Sequence, residues 1–147
     1  VRQVRDLGYK IGLHTAGQFP QVLEEILRDL YWVGMDVKST PERYSAITGR
    51  QIRWSSILQS ARMIVEEGIE YEFRTTYHPE LISEDQLIEV ANIISKLGCE
   101  RFVVQAFRPQ GCADQELMTC ADKVSLSPDL SEKFKDMFME FELRSFS

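Results

Sequence analysis

Apolar positions along the chain follow two rhythms that alternate. Val22, Leu23, Ile26, Leu27 and Leu30 recur at helical spacing within Pro20 to Leu30, and Ile57, Leu58, Ala61, Ile64 and Val65 do so within Ser55 to Glu67, where Gly68 provides a C-terminal stop. A third helix is predicted from Ser83, with Gln86 three residues on in the capping-box pattern, to Leu97 before Gly98. Ser127-Pro128 opens a last helix, with proline at its first position. Val1 to Leu7 reads as the end of a helix closed by Gly8, and Pro41 to Tyr44 opens an irregular or short helical stretch. Between these lie short apolar runs that predict strands: Tyr9 to Leu13, Tyr31 to Val37, Tyr71 to Thr76 and Arg101 to Phe107. Arg108 to Lys123 is polar and loop-like. Phe141 to Phe146 reads either as a closing strand or as more helix.

Strand and helix alternating four times over short connections imply an α/β fold of parallel strands with helical crossovers. An open doubly wound sheet and part of a β/α barrel both satisfy the pattern. No linker divides the chain, so residues 1–147 are expected to form one domain.

Side chains alternate across a strand, and this sorts the polar groups. Val33, Met35 and Val37 share a face suited to packing under helices, while Gly34, Asp36 and Lys38 share the other. Tyr71, Phe73 and Thr75 likewise oppose Glu72, Arg74 and Thr76. His14, Asp36, Lys38, Arg74 and Gln105 are thereby expected on one concave surface near the C-terminal strand ends, where parallel β/α folds place ligands. Two cations beside few acids suit a carboxylate or phosphate, and Asp36 suits an amine or hydroxyl. An internal ion-pair network joining Asp36 to Lys38 or Arg74 explains the same residues without any ligand.

Composition narrows the classes. The chain has a formal net charge of -6 and a pI near 5.0, which argues against a bulk electrostatic hold on nucleic acid. No apolar run reaches the roughly 18 residues of a membrane span, and the charged first ten residues do not form a signal peptide, so a cytoplasmic location is expected. Cys99, Cys112 and Cys120 show neither CxxC nor zinc spacing, and no metal site is assigned to them. No glycine-rich phosphate loop occurs, and His14 and His78 have no strong nucleophile beside them.

Five segments, in order, resemble the radical S-adenosylmethionine (SAM) enzymes that activate glycyl-radical enzymes. Leu13-His14-Thr15-Ala16-Gly17 resembles their "DTNG" turn, and Gly34-Met35-Asp36-Val37-Lys38 is similar to their "MDIK" strand. Tyr44 through Ile47-Thr48-Gly49 resembles the "Y..ITG" that follows. Tyr71 to Pro79 is similar to "YEFRTTVHP", and Gln105 to Cys112 to "LQ.FRP.GC". Within that family the segments look most like the activators of anaerobic ribonucleoside-triphosphate reductase.

The resemblance implies the C-terminal portion of a partial (β/α) barrel. It implies that the complete protein uses a [4Fe-4S] cluster, bound by CxxxCxxC, to cleave SAM reductively, and that the 5'-deoxyadenosyl radical so formed takes hydrogen from a glycine of a partner, here an anaerobic ribonucleotide reductase. Thr15, Asp36 and Lys38 would lie near the SAM amino-acid end, Arg74 would reach its carboxylate or ribose, and Arg108 would stand at the next strand end. Two departures stand out: His14 occupies the place of the family aspartate, so an oxygen ligand for a cation is missing there, and Ala16 replaces asparagine. No CxxxCxxC occurs in the 147 residues. The chain alone is therefore expected to bind no cluster and to be inactive, with an upstream segment supplying what is missing. The alternatives are another radical SAM chemistry on the same barrel, or a binding module that has lost its cluster. An exposed first-strand edge makes a homodimer conceivable.

Overall fold

The structure, a computed structural model, describes residues 1–49, 51–107 and 126–144. Five strands form one sheet: β1 (Gly12–Thr15), β2 (Trp32–Asp36), β3 (Glu70–Tyr77), β4 (Arg101–Ala106) and β5 (Glu140–Arg144). Their spatial order is their order in the chain, and every neighbouring pair is parallel. A doubly wound sheet reverses its strand order at a switch point, whereas a barrel segment does not. The sequential order therefore selects the barrel-type arrangement of the two the alternation allows.

The helices among the described residues are α1 (Arg2–Asp6), α2 (Pro20–Ile26), α3 (Tyr44–Thr48), α4 (Trp54–Glu67), α5 (Glu84–Lys96) and α6 (Pro128–Met137). α5 starts with both bonds of its capping box: the Gln86 N–H donates to Ser83 Oγ, and the Ser83 N–H donates to Gln86 Oε1. α4 ends where Gly68 turns to φ +71°, a left-handed conformation that glycine reaches without steric cost. α6 begins at Pro128, as its sequence demands.

Val33, Met35, Phe73, Phe102 and Val104 are fully buried in a single cluster with Leu23, Ile57, Ile64, Leu87, Ile94 and Phe134 of the helices. The helix-covered side of the sheet is thus the one that strand alternation selects. Thr75 lies there too, and its hydroxyl donates to the Val37 carbonyl at 2.8 Å, which satisfies the one polar atom its side chain brings into the core.

The first strand departs from its sequence reading. Tyr9 and Ile11 look strand-like, yet pairing with β2 starts only at Gly12 and runs through His14 and Thr15. Strand β2 begins at Trp32; just ahead of the ladder the Ile11 carbonyl accepts the Tyr31 N–H at 2.8 Å, while the Tyr9 N–H turns back to the Val4 carbonyl. Tyr9 is 66% exposed, and Lys10 sets its ammonium over the Tyr31 ring at 4.0 Å instead. The helix read over Pro20 to Leu30 tightens into a 3-10 turn at Leu27–Asp29. The closing segment is a strand, because Phe141 packs with Phe102 and Phe134 while its neighbours Glu140 and Glu142 take the other face.

Candidate functional site

The face of the sheet turned away from the helices carries an array of charge. Its middle row, in register, runs Asp36, Arg74, Val103 and Glu142. The row beyond it, toward the C-terminal strand ends, holds Thr76, Gln105 and Arg144. Arg74 donates from Nε to Asp36 Oδ1 at 2.9 Å, and its Nη2 lies 2.7 Å from the same oxygen. Lys38 Nζ stands 3.8 Å from Asp36 Oδ2, with its side chain 42% exposed. Asp36, Lys38 and Arg74 are therefore brought together as the alternation requires.

Glu72 takes the polar face that alternation assigns it, and it joins the charged cluster although it was not among the residues expected at the site. It is 4% exposed, and Arg144 grips it with two parallel bonds, Nη1 to Oε1 at 3.0 Å and Nη2 to Oε2 at 3.1 Å. Arg74 Nη1 at 3.7 Å and Arg101 Nε at 3.8 Å add two further guanidinium groups. Arg144 also binds Glu142 through Nε and Nη2, each at 2.8 Å. These bonds, to Glu142 first and then Glu72, raise the Arg144 pKa, and the same bond to Arg144 holds the Glu142 carboxyl below its ordinary range. The expectation of two cations beside few acids is thus corrected. Arg101 and Arg144 join the cations, while Glu72, Glu140 and Glu142 join the acids, and the guanidinium groups are already paired. The signal was present in the alternation Glu140, Glu142, Arg144, but only the strand order brings β5 within reach of β3.

At the β1 edge, Trp32 lies over the backbone of Gly34, where any Cβ would run into its indole ring and stand 3.0 Å from His14 Nδ1. His14 meets that indole edge-on, with ring centroids 5.0 Å apart. His14, Arg74, Thr76, Gln105, Phe107 and Arg144 line a cavity of about 610 Å³ together with Ala106. That volume falls in the range of small-molecule sites, roughly 300–1,000 Å³.

Thr15 is not brought to this face. It pairs with Met35 on the helix side, and its Oγ1 accepts the Gly17 N–H at 3.0 Å. Ser60 of α4 donates to the Gly17 carbonyl at 2.9 Å, and Gly17 holds φ +66° against the Met35 side chain. Thr15 shapes the turn that ends β1. Arg108, Cys112 and Cys120 lie outside the described residues. Cys99 is buried, and burial pushes its thiol up to about 12, far from the thiolate that a metal needs. Among the described residues no group of three His, Cys, Asp or Glu side chains could hold a metal ion, and no helix is long and apolar enough to cross a membrane.

Comparison with known proteins accords with this architecture. No family profile matches the sequence. Over 122 residues the chain is 25% identical to a protein of Methanocaldococcus jannaschii described as a glycyl-radical enzyme activating enzyme, a match that covers 78% of the chain and 50% of that protein. The chain spans about half the length of this curated relative. In three dimensions it is similar to a crystallised domain of a pyruvate-formate lyase-activating enzyme from Bacteroides vulgatus, with a TM-score of 0.67 over 96% of the chain and 84% of that domain, at 12% identity. The chain therefore shares its fold with that crystallised domain, and its sequence is similar to half of the Methanocaldococcus jannaschii protein.

Proposed function

We propose that this chain is the C-terminal portion, one domain, of a cytoplasmic radical SAM activase that installs a glycyl radical on a partner enzyme, an anaerobic ribonucleotide reductase. The observation that carries the reading is the Asp36–Lys38–Arg74 constellation at the C-terminal ends of parallel strands, on segments that resemble the family's. The amino-acid end of SAM is a zwitterion. Asp36 and Lys38, held 3.8 Å apart and partly exposed, offer it one carboxylate and one ammonium of opposite sign. The two groups attract each other only weakly where water reaches them, so a ligand bearing both charges can insert between them at small cost. Arg74, 11% exposed, holds the Asp36 carboxylate and aims it toward that position.

The residues described do not fit an iron–sulfur cluster, since Cys99 is a single buried, protonated thiol. In this reading the cluster belongs to a separate CxxxCxxC segment and supplies the electron for SAM cleavage. This chain's own groups bind and orient the amino-acid end of SAM. Kinship of sequence and fold favours activase chemistry over other radical SAM reactions.

The test joins this chain to a CxxxCxxC segment of the family and measures anaerobic 5'-deoxyadenosine release and the glycyl-radical signal of the reductase. Lys38→Ala, at an exposed position, should weaken SAM binding while leaving the melting temperature unchanged. Normal SAM affinity in that variant removes the assignment.

A further inference from the structure

The cavity beside the ion pairs holds hydrogen-bonding capacity that those pairs leave unused. Thr76 of β3 and Gln105 of β4 are register partners, and Gln105 Nε2 donates to Thr76 Oγ1 at 3.0 Å. That bond leaves the Thr76 hydroxyl proton and Gln105 Oε1 without a partner among the described residues. Turning the amide over exchanges the roles, and the pair still presents a donor and an acceptor side by side.

The charged neighbours have no such freedom. Arg74 is engaged by Asp36, and Arg144 by Glu72 and Glu142. A ligand seated against Thr76 and Gln105 therefore meets a neutral polar pair flanked by Ala106 and the Phe107 ring, which also line the cavity. Its matching chemistry is an adjacent N–H and C=O with no net charge. An extended residue of a polypeptide has this form, because its own N–H and C=O point to the same side, as they do toward a neighbouring strand. Both guanidinium groups that line this cavity are already paired with carboxylates.

We propose that the Thr76–Gln105 pair is a subsite for the main chain of an extended peptide, with Gln105 Oε1 accepting the peptide N–H and the Thr76 hydroxyl donating to the C=O of the same residue. The proposal rests on the activase reading, which brings a partner polypeptide to this end of the sheet. It goes further by naming the groups that hold the partner's backbone, apart from those that hold SAM.

The probe is N-acetyl-glycyl-glycine N-methylamide, titrated into the ¹⁵N-labelled chain and followed by ¹H–¹⁵N spectra. The expected result is a saturable, millimolar shift of the Gln105 side-chain amide and the Thr76 backbone amide, weakened roughly fivefold in Gln105→Leu and in Thr76→Val, as loss of one hydrogen bond implies. Each variant keeps its neighbours' spectrum if it folds, so two variants guard against one that does not. No shift at Gln105 overturns the proposal, as does a shift that survives in both variants. A Gln105 response to SAM with none to the peptide assigns the pair to the nucleoside and also overturns it. The activase reading stands or falls on SAM cleavage, which this titration does not touch.

Discussion

Arg144 lays its guanidinium across both oxygens of Glu72, at 3.0 and 3.1 Å, reaching from β5 over β4 to β3. Val103, fully buried, lies between them on the middle strand. A buried carboxylate gripped in this way ties the last strand to the middle of the sheet, and it costs most when one partner is withdrawn.

Arg144→Ala should therefore destabilise the chain by about 2–3 kcal/mol, less than the roughly 3–5 kcal/mol of a fully buried pair, since the Arg144 side chain keeps 28% exposure. Arg144→Lys should fall between, because an ammonium cannot make the two parallel bonds. Urea unfolding measures both. An unchanged midpoint for Arg144→Ala would mean that Arg74 and Arg101 suffice for Glu72.

Alkaline pH should weaken the fold. Burial pushes the Cys99 thiol from 9.0 up to about 12, and Tyr44 from 10.0 up to about 12. The unfolded chain thus releases these protons first. Their contribution is complete below pH about 9 and is lost as pH rises toward about 12, because over that span the unfolded state binds fewer protons. Melting temperature against pH should drop across this window, and Cys99→Ala should make the drop shallower. A Cys99→Ala profile parallel to the wild type would contradict the burial of the thiol.

Gly17 and Gly68 both hold positive φ, +66° and +71°, but only Gly17 has neighbours where a side chain would stand. Gly68→Ala should cost about 1 kcal/mol for its left-handed backbone alone. Gly17→Ala should cost more, about 2 kcal/mol, since it must also move the Met35 side chain and crowd Ser60. Thermal unfolding of the two variants side by side gives the comparison, and equal losses would show that the turn does not depend on packing against α4.

The parallel α/β order, the helix-facing residues and the trio Asp36, Lys38 and Arg74 were legible because each rests on a local period. Val33-Gly34-Met35-Asp36 sorts itself into two faces without knowledge of any partner. The start of β1 was not legible, since Tyr9 and Ile11 have strand-like side chains and only the first residue of β2 decides where pairing begins. Glu72 with Arg144 was not legible either. Seventy-two residues separate them, and no period within one element relates them. Thr15 is a different case: alternation with His14 already turns it to the helix side, and only the motif set it among the ligand residues.

In the proposed activase, Arg74 and its neighbours serve SAM as well as the fold. The decisive measurement is reductive SAM cleavage by Arg74→Ala, in this chain joined to a CxxxCxxC segment, read beside thermal stability. Misplacing the amino-acid end by about 1 Å should lower the cleavage rate by on the order of 100-fold, with the protein still folded at the assay temperature. Cleavage at the wild-type rate, or a loss that appears only where the variant has unfolded, would show that Arg74 is a structural partner of Asp36 and Glu72 and nothing more.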